Sequence, residues 1–348
     1  MRKLSIINRL LYFINSVSLF LLIISYLCPY ISPRIFWPIS FVGLIFPLLY
    51  IINILFTLYW LIGFKKPIWA NIIILLIGIG NVNNYLGTSP NNSTSEENIK
   101  ILSYNVRLFN KYNWLPEDNI QERIFNLFET EDADILCIQE FYNTKKTRNL
   151  RYPYRHISLL NKSNQGHMAI YSKYIQIKKE TISIKEEKMN NTCIYSDMII
   201  RGDTVRVYNV HLASNWFNNS DYSFIQNPKK EKFKKGISGI IKRMKSSYKN
   251  RAKEVDVIIQ HMNKSPFPLI VCGDFNDTPL SYAYNTIKAN LEDAFSVSAK
   301  GIGASYVNIP ALRIDYILHD STFNSTNYQI HNQILSDHYA VSSEIIIP

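Results

Sequence analysis

At 348 residues and 47% hydrophobic content the chain can bury a large core. Its four cysteines, Cys28, Cys137, Cys193 and Cys272, lie in apolar runs without metal-type spacing. Three of them fall beyond residue 97, an odd number that argues against a disulfide framework and for buried thiols. The formal charge of +11 favours polyanionic partners.

No Asp or Glu precedes Glu96, and three apolar stretches, about 10–28, 36–62 and 67–84, fill the first 84 residues. A crossing takes roughly 20 apolar residues. Three transmembrane helices are therefore expected, the third being the shortest and interrupted by Asn71. Arg2, Lys3 and Arg9 precede the first, Arg34 follows it, and Lys65-Lys66 separate the second from the third. By the positive-inside rule the N-terminus and the Lys65-Lys66 loop are cytoplasmic. The rest of the chain would then be extracytoplasmic, in an integral protein of a bacterial cytoplasmic membrane. No small-residue cleavage site follows the first run, which argues against a cleaved signal peptide. The absence of an internal repeat and of intramembrane acids argues against a transporter. Residues 85–97, rich in Asn, Ser, Thr and Glu, read as a solvated linker.

From 98 to 348 short β-like runs recur at 99–105, 135–140, 168–172, 192–200, 205–211, 269–273, 314–318 and 340–346. Arg201-Gly202-Asp203-Thr204 suits a tight hairpin. Helical spacing covers 119–129, with Ile120, Ile124, Leu127 and Phe128 on one face, and 231–262. These alternations predict a β-rich α/β domain with two sheets packed face to face. Ahead of the second helix, Trp216, Phe217, Tyr222 and Phe224 lead into a strongly basic run from Lys229 to Lys253. That insertion reads either as a lip touching an anionic bilayer or nucleic acid, or as a solvated helix face.

Polar residues gather at the strand ends. They occur in Ser103-Tyr104-Asn105-Val106, Ile138-Gln139-Glu140 and Asn209-Val210-His211-Leu212. They recur in Gly273-Asp274-Phe275-Asn276, Arg313-Ile314-Asp315-Tyr316-Ile317 and Ser336-Asp337-His338. Taken in this order, the motifs resemble the endonuclease/exonuclease/phosphatase superfamily of divalent-metal phosphoesterases. The resemblance spans about 98–348 and leaves the first 97 residues uncovered.

It implies an α/β fold, a four-layer α/β sandwich of two packed sheets flanked by helices, with the active site at one rim. Glu140 resembles the principal metal carboxylate, Asn105 its supporting amide, and Asp337 a further metal or water ligand. Asp274 and Asn276 resemble the pair that orients the attacking water and a phosphate oxygen. His211 and His338 resemble the histidines that clamp the scissile phosphate, with Asp315 holding His338. Gln165-Gly166-His167 stands where some relatives carry a glutamate, which leaves the partner of His211 open. Hard oxygen ligands suit Mg²⁺, with Mn²⁺ as the alternative.

The implied activity is that of a membrane-anchored phosphoesterase cleaving phosphodiester bonds of nucleic acid or a phospholipid head group by in-line attack of water. The lipid bilayer is its other partner. The alternative is a non-catalytic phosphate-binding membrane receptor that retains the fold. Loss of Glu140, Asp274 or a histidine would have marked it, and all are present.

Overall fold

The computed structural model describes residues 5–62, 66–88, 90–91, 97–148, 150–158, 167–182, 193–215, 233–309 and 311–348. Two units emerge. One comprises Met1–Tyr85, Trp216–Ala252 and Thr278–Asn285, and the other Leu86–Asn215, Lys253–Asp277 and Thr286–Pro348.

The first unit is helical: α1 (Ile6–Ser25), α2 (Pro33–Phe36), α3 (Pro38–Leu44), α4 (Phe46–Leu61) and α5 (Pro67–Val82). The expectation of three full spans needs correction. Among the described residues only α1, with 20 residues, is by itself long and apolar enough to cross a bilayer. The stretch expected as one helix over 36–62 is two, because prolines open both α3 and α4 and the axis bends by 59° between them. Proline lacks the N–H that would continue the preceding helix. At 16 residues α5 reaches only about 24 Å.

What joins these helices is polar. Asn15 of α1, Asn53 of α4 and Asn71 of α5 are all buried and meet. Asn15 Nδ2 donates to Asn53 Oδ1 at 3.2 Å and Asn71 Oδ1 at 2.9 Å, and Asn15 Oδ1 accepts from Asn71 Nδ2 and Trp60 Nε1. Asn53 Nδ2 reaches Ser18 Oγ at 2.8 Å. The hydroxyls of Tyr26 and Tyr50 donate to the α5 carbonyls of Ile74 and Leu75. Around apolar helices, side-chain hydrogen bonds of this kind fix partners and register.

The second unit holds two six-stranded sheets. One is ordered β10 (Leu291–Asp293), β12 (Asp315–Asp320), β9 (Leu269–Asp274), β8 (Asp203–His211), β7 (Cys193–Ile200), β6 (Ile175–Ile182). The other is ordered β13 (Asn324–His331), β14 (Ala340–Ile346), β2 (Ile99–Asn105), β3 (Ile135–Phe141), β5 (His167–Ser172), β4 (Tyr154–Ser158). A short pair, β1 (Leu86–Thr88) with β11 (Lys300–Ile302), stands apart from both sheets. Each large sheet has one parallel pair at its centre, β2 with β3 and β8 with β9, so both pairs end in the same direction as their chains. The β7–β8 hairpin closes with Ile200 opposite Asp203, and Arg201 and Gly202 both take positive φ, as a two-residue type I′ turn requires.

Ile99, Ile101, Ile135, Cys137, Val205, Val207, Ile270, Cys272 and Ile317 fill the layer between the sheets. On the outer face of one sheet, α6 (Ile120–Glu131) buries Ile120, Ile124, Leu127 and Phe128 against Leu102, Tyr104, Leu136 and Ile138. The later turns of the long helix α8 (Phe233–Met262), numbered after the single turn α7 (Lys145–Arg148), bring Val255, Ile258 and Met262 into the core. Its His261 Nδ1 lies 2.8 Å from the Tyr208 hydroxyl of β8. Helices thus flank two packed sheets, as expected. The aromatic residues Trp216 to Phe224 lie outside the described residues, and so does the first part of the basic run.

Asn15→Leu removes the amide at the centre of the polar junction. In detergent micelles its resistance to SDS unfolding should drop by about 1–2 kcal/mol. An unchanged unfolding midpoint would show that the helices associate through apolar packing alone.

Candidate active site

Strand periodicity builds the site. Side chains two apart share a face, so the faces that carry Ile101, Cys137, Val207, Cys272 and Ile317 into the core also carry Asn105, Gln139, Asn209, His211, Asp274 and Asp315. Apolar residues occupy one end of this layer, and hydrogen-bonding and ionisable groups occupy the other. Gln139 Nε2 bridges the sheets between them, donating to Ser103 Oγ at 3.1 Å and Asn209 Oδ1 at 2.7 Å. Asn209 in turn donates to the carbonyls of Ile138 and Ala169.

Registry then assembles the groups. Asp274 of β9 pairs with His211 on one side and Asp315 on the other. Gly273 just before it has φ +142°, and a Cβ there would collide with the Val210 carbonyl oxygen, so only glycine lets the strands approach this closely. Glu140 sits at a register shift in β3 with φ +47°. The irregularity re-aims its carboxylate into the cleft, where Oε1 accepts from Asn105 Nδ2 at 3.3 Å.

Asp274 is 1% exposed and is the centre of the cluster. Its Oδ2 accepts from Asn105 Nδ2 at 3.0 Å and Asn276 Nδ2 at 3.1 Å, and its Oδ1 accepts the Asn276 backbone N–H at 2.8 Å. Asn276, at φ +52°, also donates to the Leu212 carbonyl. His338 Nδ1 lies 2.9 Å from Asp315 Oδ2, and its Nε2 lies 3.6 Å from Asp274 Oδ2. His211 Nε2 stands 3.7 Å from both Glu140 Oε1 and Asp274 Oδ2, and it is buried without a hydrogen-bond partner. Asp315 Oδ1 is likewise unpartnered. Gln165 and Gly166, where a partner of His211 was sought, lie outside the described residues.

Seven of the eight residues singled out from the sequence therefore touch one another in a single cluster. The eighth, Asp337, joins through neighbours. Ser336 Oγ donates to the Asn105 carbonyl and to Asp337 Oδ1, and Arg107 Nε approaches Asp337 Oδ2 at 3.4 Å.

The two histidines are driven apart in protonation. Burial depresses His211, outweighing the attraction of Asp274, so its imidazole is held neutral. Burial acts the same way on His338, but Asp315 and Asp274 overcome it and raise its pKa well above 6.5. Burial pushes Asp274 up to about 6, with Asp315 adding to it and the histidines and Asn105 opposing. Glu140 is raised by burial and then by Asp337. Carboxylates displaced upward, beside unpartnered buried atoms and oxygen donors from Asn105, Glu140 and Asp274, describe a place short of positive charge. Its chemistry fits a hard divalent cation. Asp274, Asp315 and His338 each offer a ligand-type atom, and these atoms lie within 4.8 Å of one another.

Sequence reading passed over several supports. Ser305 Oγ accepts the backbone N–H of both Ile314 and Asp315 at 3.0 Å, which sets the start of β12. The Tyr306 ring stands edge-on to His338 at 5.1 Å. Arg107, two residues past Asn105, donates its backbone N–H to Asn105 Oδ1 at 3.1 Å. Spacing from Asn105 could have flagged Arg107. Ser305 lies in a stretch with no strand pattern and carried no such signal.

The Endonuclease/Exonuclease/phosphatase family model matches residues 102–338. The chain belongs to the endonuclease/exonuclease/phosphatase family. Residues 8–85 separately match a domain of unknown function. Solved structures share the family fold at low identity. A mannosyl-6-phosphatase of Bacteroides thetaiotaomicron is 16% identical with a TM-score of 0.52, covering 72% of this chain and 100% of its own. The human Nocturnin catalytic domain with bound sulfate is 14% identical with a TM-score of 0.52, covering 73% and 96%. The D. rerio TDP2 complexed with a single-strand DNA product is 14% identical with a TM-score of 0.53, covering 72% and 99%. No curated protein sequence matches the chain.

In this family member the His338–Asp315 pair favours the folded state while His338 is protonated. Its contribution is full below about pH 6.5 and is lost as pH rises through the raised folded value. In Asp315→Asn the largest influence opposing burial is gone, leaving Asp274 and Asp337. In metal-free protein the His338 imidazole resonances should then titrate at lower pH by NMR than in the parent, which titrates above 6.5. Equal titration in the two proteins would refute the assignment.

Proposed function

We propose that this chain is a membrane-anchored, divalent-metal-dependent phosphoesterase that cleaves phosphodiester bonds by in-line attack of water. The observation carrying this reading is the convergence of Asn105, Glu140, His211, Asp274, Asp315 and His338 at one end of the inter-sheet layer. Asn105, Glu140 and Asp337 are the residues that would hold the cation, Mg²⁺ first and Mn²⁺ second. When bound, the cation supplies neutralisation of charge on the phosphate oxygens.

The remaining work belongs to side chains. Asp274, raised toward neutrality and fixed by three N–H donors, orients the attacking water and takes its proton. Water oxygen bonds to phosphorus as the opposite P–O bond breaks, giving a phosphate monoester and an alcohol. His338, kept charged by Asp315, stabilises the phosphate oxygens. His211, kept neutral, accepts that proton from Asp274 and gives one to the departing oxygen, which leaves as the alcohol. Asn276 holds the Asp274 carboxylate in place. Substrates within this reading are nucleic acid or a phospholipid head group.

Purified full-length protein in detergent should hydrolyse a dinucleotide or a phosphocholine ester with Mg²⁺, and lose that turnover in chelator. Asp274→Ala should lower kcat by about 1,000-fold with the fold retained by circular dichroism. Turnover that survives both chelator and Asp274→Ala would sink the proposal.

The anchor is read as α1 crossing the cytoplasmic membrane, with Arg9 and the basic residues before it on the cytoplasmic side. α4 and α5 pack on α1 through Asn53 and Asn71, which both meet Asn15. The catalytic residues would then face the extracytoplasmic side. A reporter fused after Pro348 that functions only outside the cytoplasm should be active, and one that functions only inside should be silent. The reverse pattern would overturn this orientation.

A further inference from the structure

Beside Glu140 and Asp337 the chain makes an unusual loop. Arg107, Leu108, Phe109 and Asn110 all have positive φ, from 42° to 57°. The loop is pinned: Phe109 stacks on Phe125, and the Asn110 side chain both donates to the Leu115 carbonyl and accepts its N–H. What it presents are rings and cations. The Arg107 guanidinium lies 4.5 Å from the centre of the Trp114 ring while its Nε faces Asp337. Tyr112 stands edge-on to Trp114 at 5.1 Å. Lys111 Nζ sits 4.0 Å from the centre of the Tyr142 ring, two residues beyond Glu140. Trp114 and Tyr112 remain 41% and 52% exposed.

We infer that Trp114, with Tyr112 and Arg107, forms a specificity subsite that stacks an unpaired nucleobase next to the scissile phosphate, making single-stranded nucleic acid the substrate class. The inference rests on the phosphoesterase reading and narrows it. Exposed aromatic faces flanked by cations complement a flat base attached to an anionic backbone. They do not complement a phosphocholine head group, whose quaternary ammonium would meet Arg107 and Lys111 already on these rings. Trp114 is here a positioning residue, and it takes no part in bond cleavage.

The test uses the full chain in detergent with Mg²⁺ and three probes: thymidylyl-thymidine, its analogue lacking one base, and glycerophosphocholine. In Trp114→Ala the ratio of kcat/KM for the dinucleotide over the abasic analogue should fall about tenfold, a loss on the scale of one stacked base. Trp114→Phe should keep that ratio within about twofold of the parent, because a ring still stacks. Equal losses on both nucleotide substrates in Trp114→Ala would overturn the subsite, as would a parent that prefers glycerophosphocholine. A second measurement separates the two readings. Tryptophan emission is titrated with oligothymidylate in chelator, where no turnover occurs. If the parent cleaves nothing but its emission is quenched, and Trp114→Phe abolishes the quench, the reaction fails and the subsite stands. If the parent cleaves and neither variant alters the ratio, the subsite fails and the reaction stands.

Discussion

Everything at the rim follows from placing one carboxylate, Asp274, in protein and out of water. Desolvation of an isolated carboxylate costs several kcal/mol even after relaxation. A chain that keeps such a group must surround it with donors. Here they are the two amides of Asn105 and Asn276 and one backbone N–H, with the His338 imidazole 3.6 Å from the carboxylate. Each donor is fixed by something further away. Asp315 orients His338, Ser305 sets the backbone of Asp315, and the Leu212 carbonyl holds Asn276. The site is therefore a hierarchy of hydrogen bonds with the buried Asp274 carboxylate at its head.

How far the sequence disclosed this depends on which physical signal each part leaves. The site residues were legible because strand alternation repeats: apolar positions two apart in β2, β8, β9 and β12 share a face with Asn105, His211, Asp274 and Asp315, Ser103 and Asn209 being the polar steps between. The central strands were legible for the same reason. The edge strands β6 and β13 were not, since Ile175–Ile182 exposes much of its length and Asn324–His331 is mostly polar. An edge strand gains its structure from one neighbour's hydrogen bonds, which leave no hydrophobic pattern behind. Glu140 was found by its motif, but its geometry depends on a register shift that alternation cannot foretell.

The helical unit shows the converse. Hydropathy alone reads Phe36 to Ile62 as one long apolar run, and composition gives no reason to divide it. Backbone chemistry does, because a proline ring removes a donor whatever its neighbours' polarity. The same stretch hides Asn53, whose meaning is invisible until Asn15 and Asn71 are seen opposite it. Three isolated asparagines would each be a penalty in apolar surroundings, whereas joined they satisfy one another's donors and acceptors.

Strain and order are linked at the mouth of the cleft. A left-handed residue other than glycine costs roughly 1–2 kcal/mol, and the chain adopts four in succession between Arg107 and Asn110. Such a turn persists only where its surroundings over-determine it. Phe109 is clamped between Phe125 and Phe141, and Asn110 closes the loop onto Leu115. A relaxed right-handed turn at this point would direct Arg107 elsewhere and leave Asp337 without its cation. The packing that α6 and β3 supply thus does more than stabilise one sheet. It holds a strained backbone in the conformation that keeps a positive charge and an aromatic ring at the edge of a carboxylate-rich cleft.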